Sequence, residues 1–168
     1  MADGPTYRVP RRRRREGRTD YKKRLSLLKS GQTRAVVRKQ ENNTITQFVD
    51  YDPEGDVVRT QAVAHELKDL GWEGHTGNLP AAYLTGYLAG TRGLEAGIEE
   101  AVLDIGRHKP EGGSAVFAAL KGILDAGLEV PHGEEILPEE DRHLGAHIDE
   151  AIPSMTEEVR DTIEEGSA

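Results

Sequence analysis

Arg8-Val9-Pro10, followed by Arg11, Arg12, Arg13, Arg14, Arg15, Glu16, Gly17 and Arg18, is the densest chemistry in this sequence. Each guanidinium is a planar fork of N–H donors that matches phosphate oxygens two at a time. A run of them specifies a polyanion, and a nucleic-acid backbone is the polyanion that fits. If about eight of these charges neutralise phosphates, counterion release gives a slope of log affinity on log salt of about −7. Contacts of this kind supply affinity and register but little sequence information. Tyr7 and Tyr21 flank the run and can stack on unpaired bases. A nuclear-localisation run or a histone-like arm has the same composition, so charge alone names a class of partner.

Other residues offer catalytic or metal chemistry in principle. Asp50, Asp52, Asp104 and Asp125 could converge on a divalent cation to make a nuclease. With 30 acidic residues, however, a few carboxylates near strand ends are expected by chance. His143 and His147 stand at i, i+4 beside Asp141, which puts two ligands on one helical face with no third in view. Glu111-Gly112-Gly113-Ser114, followed by Lys121, is similar to a phosphate-binding turn at a helix N-terminus. It lacks the Gly-Lys-Ser/Thr of a P-loop, so nucleotide hydrolysis is not supported. The chain has no cysteine, which excludes disulfides, thiolate zinc, iron–sulfur clusters and a cysteine nucleophile. No Ser/His/Asp set stands out. The expectation is a binding protein without catalysis, cofactor or metal; the alternative is a metal-dependent nuclease using Asp104 and neighbouring carboxylates.

The elements that must position these residues follow from local pattern. Residues 1–30 read as a basic arm, with Thr19 and Asp20 capping a short helix over about 20–30 whose apolar stripe is Tyr21, Leu25 and Leu28. Lys22, Lys23, Arg24 and Lys29 cover the rest of that helix. Three strands come next, over 33–39, 44–51 and 56–64, joined by Glu41-Asn42-Asn43 and Asp52-Pro53-Glu54-Gly55. Short turns imply an antiparallel meander. The first strand places Arg34, Val36 and Arg38 on one side, so that side is expected to meet solvent or a ligand. A brief helix over 65–70 precedes a long one over 79–96. There Gly86, Gly90, Gly93 and Gly97 share a face, which suits close packing of helix on sheet. Ala101-Val102-Leu103 suits a central strand, and Ser114 opens a helix burying Val116, Ala119, Leu120 and Ile123. The expected class is α/β: three-stranded antiparallel meander, then helix–strand–helix, forming a mixed sheet with helices packed on it. The expected domain is 31–133, preceded by the extended basic arm and followed, over 134–168, by an acidic, helical, solvated extension.

Charge is divided accordingly. Residues 1–40 hold 14 Lys and Arg against three acids, or +11, and the other 128 hold 8 against 27, or −19. A body so acidic beside a polyanion-binding arm, with only seven lysines, fits work in concentrated salt. At about 1 M ionic strength the Debye length is about 3 Å, so body–RNA repulsion is screened while close Arg–phosphate pairs persist. No stretch approaches 18 consecutive apolar residues and the N-terminus lacks the apolar run of a signal peptide. A cytoplasmic chain without a membrane partner is expected.

Three blocks resemble a known family. They are Tyr7-Arg8-Val9-Pro10 through Arg18-Thr19-Asp20-Tyr21; Thr76-Gly77-Asn78 with Ala81-Ala82-Tyr83-Leu84-Thr85-Gly86; and Ala101 through Gly106 with Gly113 through Gly122 and Asp125 through His132. The sequence is similar, over residues 7 to about 132, to the large-subunit ribosomal proteins of the L-eighteen family in its archaeal and eukaryal form. The resemblance implies a structural role: holding 5S rRNA in the central protuberance, beside the L-five family protein and other large-subunit proteins, with the arm also reaching 23S rRNA. Carried over by position, the rRNA-binding residues would be Arg8, Arg11, Arg12, Arg13, Arg14, Arg15, Arg18, Thr19, Tyr21, Lys22 and Lys23. Arg34 and Arg38 on the first strand, His108 and Lys109 in the following loop, and Ser114 with Lys121 complete the expected set.

Overall fold

The turn Glu41-Asn42-Asn43 brings β1 (Arg34–Lys39) and β2 (Thr44–Asp50) together antiparallel, with Arg34 opposite Val49 and Lys39 opposite Thr44. β3 (Val57–Val63) pairs antiparallel with β2 across a bulge at Phe48/Val49. The computed structural model describes residues 4–166, so residues 1–3 of the expected arm and 167–168 of the expected extension lie outside the described residues. Upstream of the sheet are α1 (Arg12–Arg15) and α2 (Tyr21–Leu28). Downstream come a 3-10 segment (Ala64–Lys68), α3 (Leu79–Glu95), β4 (Val102–Asp104), α4 (Ala115–Asp125), α5 (Glu140–Leu144) and α6 (Ile152–Gly166). The sheet order is β3-β2-β1-β4, with β4 parallel to β1. This is a mixed α/β fold whose helices pack on a four-stranded sheet.

The apolar run of β4 suggested a central strand, yet β4 lies at the sheet edge. Its hydrophobicity is explained by the faces of the sheet, where Ala101 is fully buried and Leu103 packs against the core. The Ala101 N–H donates to the Glu129 carbonyl and the Glu129 N–H to the Glu99 carbonyl, both at 2.9 Å. The chain leaving α4 therefore pairs with the residues just ahead of β4, in a parallel bridge between Glu100 and Glu129.

Ala35, Val37, Phe48 and Ala62, each 0% exposed, form the sheet face against α3 and α4. The glycine stripe of α3, expected to meet the sheet, mostly meets α4. A Cβ at Gly86 would stand 1.9 Å from the Ala119 carbonyl oxygen, and one at Gly122 of α4 2.1 Å from that of Tyr83. The two backbones touch through reciprocal glycines. Gly93 alone of the stripe faces the sheet, against Phe48.

The acidic C-terminal segment is no solvated extension. Thr156, Val159 and Ile163 of α6 are buried, and Ile152 and Met155 pack against the core, so one face of the helix covers α3 while the carboxylates cover the other. The Tyr87 hydroxyl of α3 donates to Glu164 at 2.5 Å. His143 of α5 is buried with its ring centroid 4.7 Å from that of Tyr83, and its Nδ1 lies 3.1 Å from the Glu139 carbonyl oxygen. His147, expected as its possible co-ligand, is exposed.

Candidate nucleic-acid interface

Four consecutive arginines make up α1, and all are exposed. Their mutual repulsion is relieved by local partners. Arg12 and Arg18 reach Glu16 at 3.2 and 3.1 Å, and Arg13 Nε donates to Thr19 Oγ1 at 2.9 Å. The chain then reverses at Gly17, where φ is +67° and a Cβ would meet the Arg107 guanidinium. Arg107 donates to the Gly17 carbonyl, and Lys23 Nζ to the Gly106 carbonyl at 3.2 Å. These two bonds hold the arm to the loop after β4. The Arg11 guanidinium lies 5.5 Å over the Tyr21 ring. Arg8, Arg14 and Arg15 have no side-chain partner among the described residues.

Asp20 starts α2 by accepting the N–H groups of Lys22 and Lys23 at 3.0 and 3.1 Å. The bond from Lys23 is the foremost reason its carboxyl lies below the ordinary carboxylate value. One turn further, α2 is tied to the sheet by a chain of charges. Arg24 meets Asp56 at 2.6 Å, Asp56 meets Arg34 at 2.6 Å, Arg34 meets Asp104 at 3.0 Å, and Asp104 meets Arg38 at 3.1 Å. Burial raises the Asp104 carboxyl, but the Arg38 charge, the Gly106 N–H at 2.8 Å and bonds from Arg38 and Arg34 outweigh it and hold it low. Asp56 is held low chiefly by the bond from Arg24 and then by that from Arg34.

This network corrects the expectation for Arg34. Its side chain is 2% exposed, with both terminal nitrogens taken by Asp104 and Asp56 and its Nε enclosed without a partner, so it does not meet a ligand. The face of β1 opposite α3 is covered rather than open, Val36 included. Arg38 remains at the rim, 37% exposed. The carboxylates considered for a metal are each engaged elsewhere: Asp104 by arginines, Asp50 by Thr33 and Arg59, Asp52 by the Glu54 N–H, and Asp125 by Lys121 and Tyr83. Among the described residues no group of three or more His, Asp or Glu is placed to hold a metal ion.

Between the arm with α2 and the β2–β3 turn lies a cleft of about 1010 Å³. Arg11, Arg13, Arg18, Thr19, Tyr21, Lys23 and Arg38 of the expected set line it, together with Arg24, Tyr51 and Arg107. The sequence reading missed those three: Arg24 looked like helix surface, while Tyr51 and Arg107 lie at an element's end and in a loop. Arg8, Arg12, Arg14, Arg15 and Lys22 stand outside the cleft. His108, Lys109, Ser114 and Lys121 are also elsewhere. Partial burial, then the charges of Arg38, Lys39 and Lys23, push His108 below the usual histidine value. Ser114 occupies the N-cap position of α4 without capping it, and its Oγ is enclosed without a partner. The Gly113 and Ser114 N–H groups are taken by the Ile136 and Glu111 carbonyls, so two amides of the supposed phosphate turn are occupied. Lys121 is paired with Asp125 at 2.7 Å.

No helix among the described residues is long and apolar enough to cross a membrane. A family model described as ribosomal large subunit proteins 60S L5 and 50S L18 matches residues 5–99, a span that contains the arm, the three antiparallel strands and α3.

Proposed function

This chain belongs to the family of large-subunit ribosomal proteins that comprises 60S L5 and 50S L18, and from that premise we propose that it binds 5S rRNA. The family makes it a structural constituent of the large subunit, with ribosomal RNA and large-subunit proteins as its partners. In our reading it helps fix 5S rRNA in the central protuberance of the cytoplasmic ribosome, beside the L-five family protein, while its arm also reaches 23S rRNA. It catalyses no reaction.

The observation that carries this reading is the run of exposed guanidiniums, several of them unpartnered, on a chain whose remaining surface is strongly acidic. Arg8, Arg11 through Arg15, Arg18 and Lys22 contact phosphates along the arm, Thr19, Tyr21, Lys23 and Arg38 at the cleft. His108, Lys109 and Lys121 form an outlying set of contacts, whereas Ser114, with its Oγ enclosed and its N–H taken, acts only by opening α4. The acidic body makes the arm the part of the molecule that draws a nucleic acid most strongly at low salt.

Filter binding of 5S rRNA across a KCl series tests it. The wild-type chain should give a log–log slope of about −7, and replacing Arg11 through Arg15 with Ala should flatten it by about four. An unchanged slope and affinity in the replaced chain would remove the arm from RNA binding. RNA cleavage in Mg²⁺ that disappears in Asp104→Asn would instead establish the nuclease alternative.

A further inference from the structure

We propose that the cleft between α2 and the β2–β3 turn receives an unpaired, unstacked nucleotide of the RNA, its base lying against Tyr51 and Leu25 and its phosphates on the arginines at the rim. The inference rests on the RNA-binding reading above and specifies which form of RNA the cleft takes.

Three features of the cleft converge on it. The first is an unsatisfied apolar surface. Tyr51 and Leu25 are 57% and 58% exposed, although both are large and line a concave site. Neither closes onto the protein's own core, so each presents a face that a flat ring can cover.

The second is charge. Nearly every carboxylate of the cleft is engaged within the protein: Asp20 by the start of α2 and Asp52 by the Glu54 amide, both keeping their charge, and Asp56 and Asp104 by two arginines each. Glu54 is the exception. By contrast, Arg11, Arg13 and Arg107 form no ion pair among the described residues; they are held by an aromatic ring, a hydroxyl and a carbonyl, although Arg107 lies near enough to Asp20 to help hold its carboxyl low. The rim is thus positive inside a protein of net charge −8. An anionic ligand is favoured there and disfavoured almost everywhere else on the body.

The third is shape. Small-molecule sites run to about 1,000 Å³, so a cleft of about 1010 Å³ has room for a nucleotide with part of its neighbour. In an RNA duplex the base faces are stacked and hidden, and proteins read mainly 2′-hydroxyls and phosphates. Only an unpaired nucleotide can put a base face on Tyr51 while its phosphates stay on the rim.

The test uses the full chain, fluorescence anisotropy, and two labelled probes: a single-stranded oligoadenylate octamer and a blunt RNA duplex. Tyr51→Ala should weaken octamer binding between about 5- and 150-fold, the loss of one base–aromatic stack, and leave the salt slope and the duplex affinity unchanged. Tyr51→Phe, which keeps the ring, should stay within about twofold of wild type. Because Tyr51 is exposed, the variant's urea midpoint should match wild type, which separates lost stacking from lost folding. If Tyr51→Ala alters neither probe, or weakens both equally, the cleft is not a nucleotide site, while a retained salt slope would leave the arm's role standing. A wild-type chain whose RNA binding ignores salt would overturn the arm reading, and the cleft with it.

Discussion

Asp104→Asn isolates the energetic role of the charge network. Asn keeps the shape of the side chain and an oxygen for the Gly106 N–H, but removes the charge facing Arg34 and Arg38. Removing one partner of a buried ion pair costs about 3–5 kcal/mol, because the other charge stays behind in a poorly solvated place. Here Arg34 keeps Asp56, whose side chain is 27% exposed, so the lower end applies, about 3 kcal/mol. In a chain of this size that is a fall of about 6–12 °C in Tm. The assay is urea unfolding followed by far-UV circular dichroism at neutral pH. The carboxyl of Asp104 is held below its ordinary value in the folded protein, so its contribution is fully present above about pH 4. That contribution disappears as pH falls through the folded value. The gap between wild type and variant should therefore close in acid. Pairing Arg34→Met with Asp104→Leu should restore most of the loss, since the charges that lose a partner are no longer buried: Arg38 is 37% exposed, and Asp56 is 27% exposed and keeps Arg24. A deficit of under about 1 kcal/mol at neutral pH, or one that does not shrink in acid, would refute this reasoning.

Gly86→Ala should destabilise the protein by about 2 kcal/mol or more, although Ala favours helix interiors by about 1 kcal/mol, because its Cβ would press on the Ala119 backbone. Gly133→Ala, with an ordinary φ of −93° and open space around it, is the neutral control, and thermal melts of both decide the matter. Burial and then Asp125 push the Tyr83 hydroxyl up to about 12, and burial with Glu164 raises Tyr87 as well. Unfolded tyrosines ionise near their ordinary value of about 10, so stability should be full below that pH and fall as pH rises toward 12. Tyrosinate absorbance should accordingly show a late pair of groups that ionise with unfolding, and Tyr83→Phe should flatten the alkaline limb.

Local pattern made much of this fold legible. Asp20 as the cap of α2, the strands on either side of the two turns, the span of α3 and the buried face of α4 all depend on neighbours within about four residues. What was hidden depends on distant partners. Arg34 sits at a position whose period-two alternation points away from α3 and α4, yet α2 and the β2–β3 turn fold over that side. They supply Asp56, 22 residues on, while β4 supplies Asp104, 70 residues on. The stripe of α3 announced a close approach but not its partner, since Gly122 matters only once α4 is known to lie there. In α6 the spacing of Ile152, Met155, Val159 and Ile163 is helical and apolar, but the carboxylates between them dominate the composition. At the candidate site the run of arginines is plain in the sequence. The cleft is not, because Tyr21, Tyr51 and Arg107 come from three separate stretches.

β1 completes its pairing only when β4 arrives, and Arg34 meets Asp104 across the same 70-residue interval. At translation rates of about 5–20 residues per second, the later partner leaves the ribosome about 4–14 s after the earlier one. The arginine-rich arm emerges before either, with no Gly106–Arg107 loop to fold back upon. For that interval the nascent chain trails its most strongly charged segment unanchored, open to capture by whatever polyanion is nearest. Order of synthesis thus opposes order of docking.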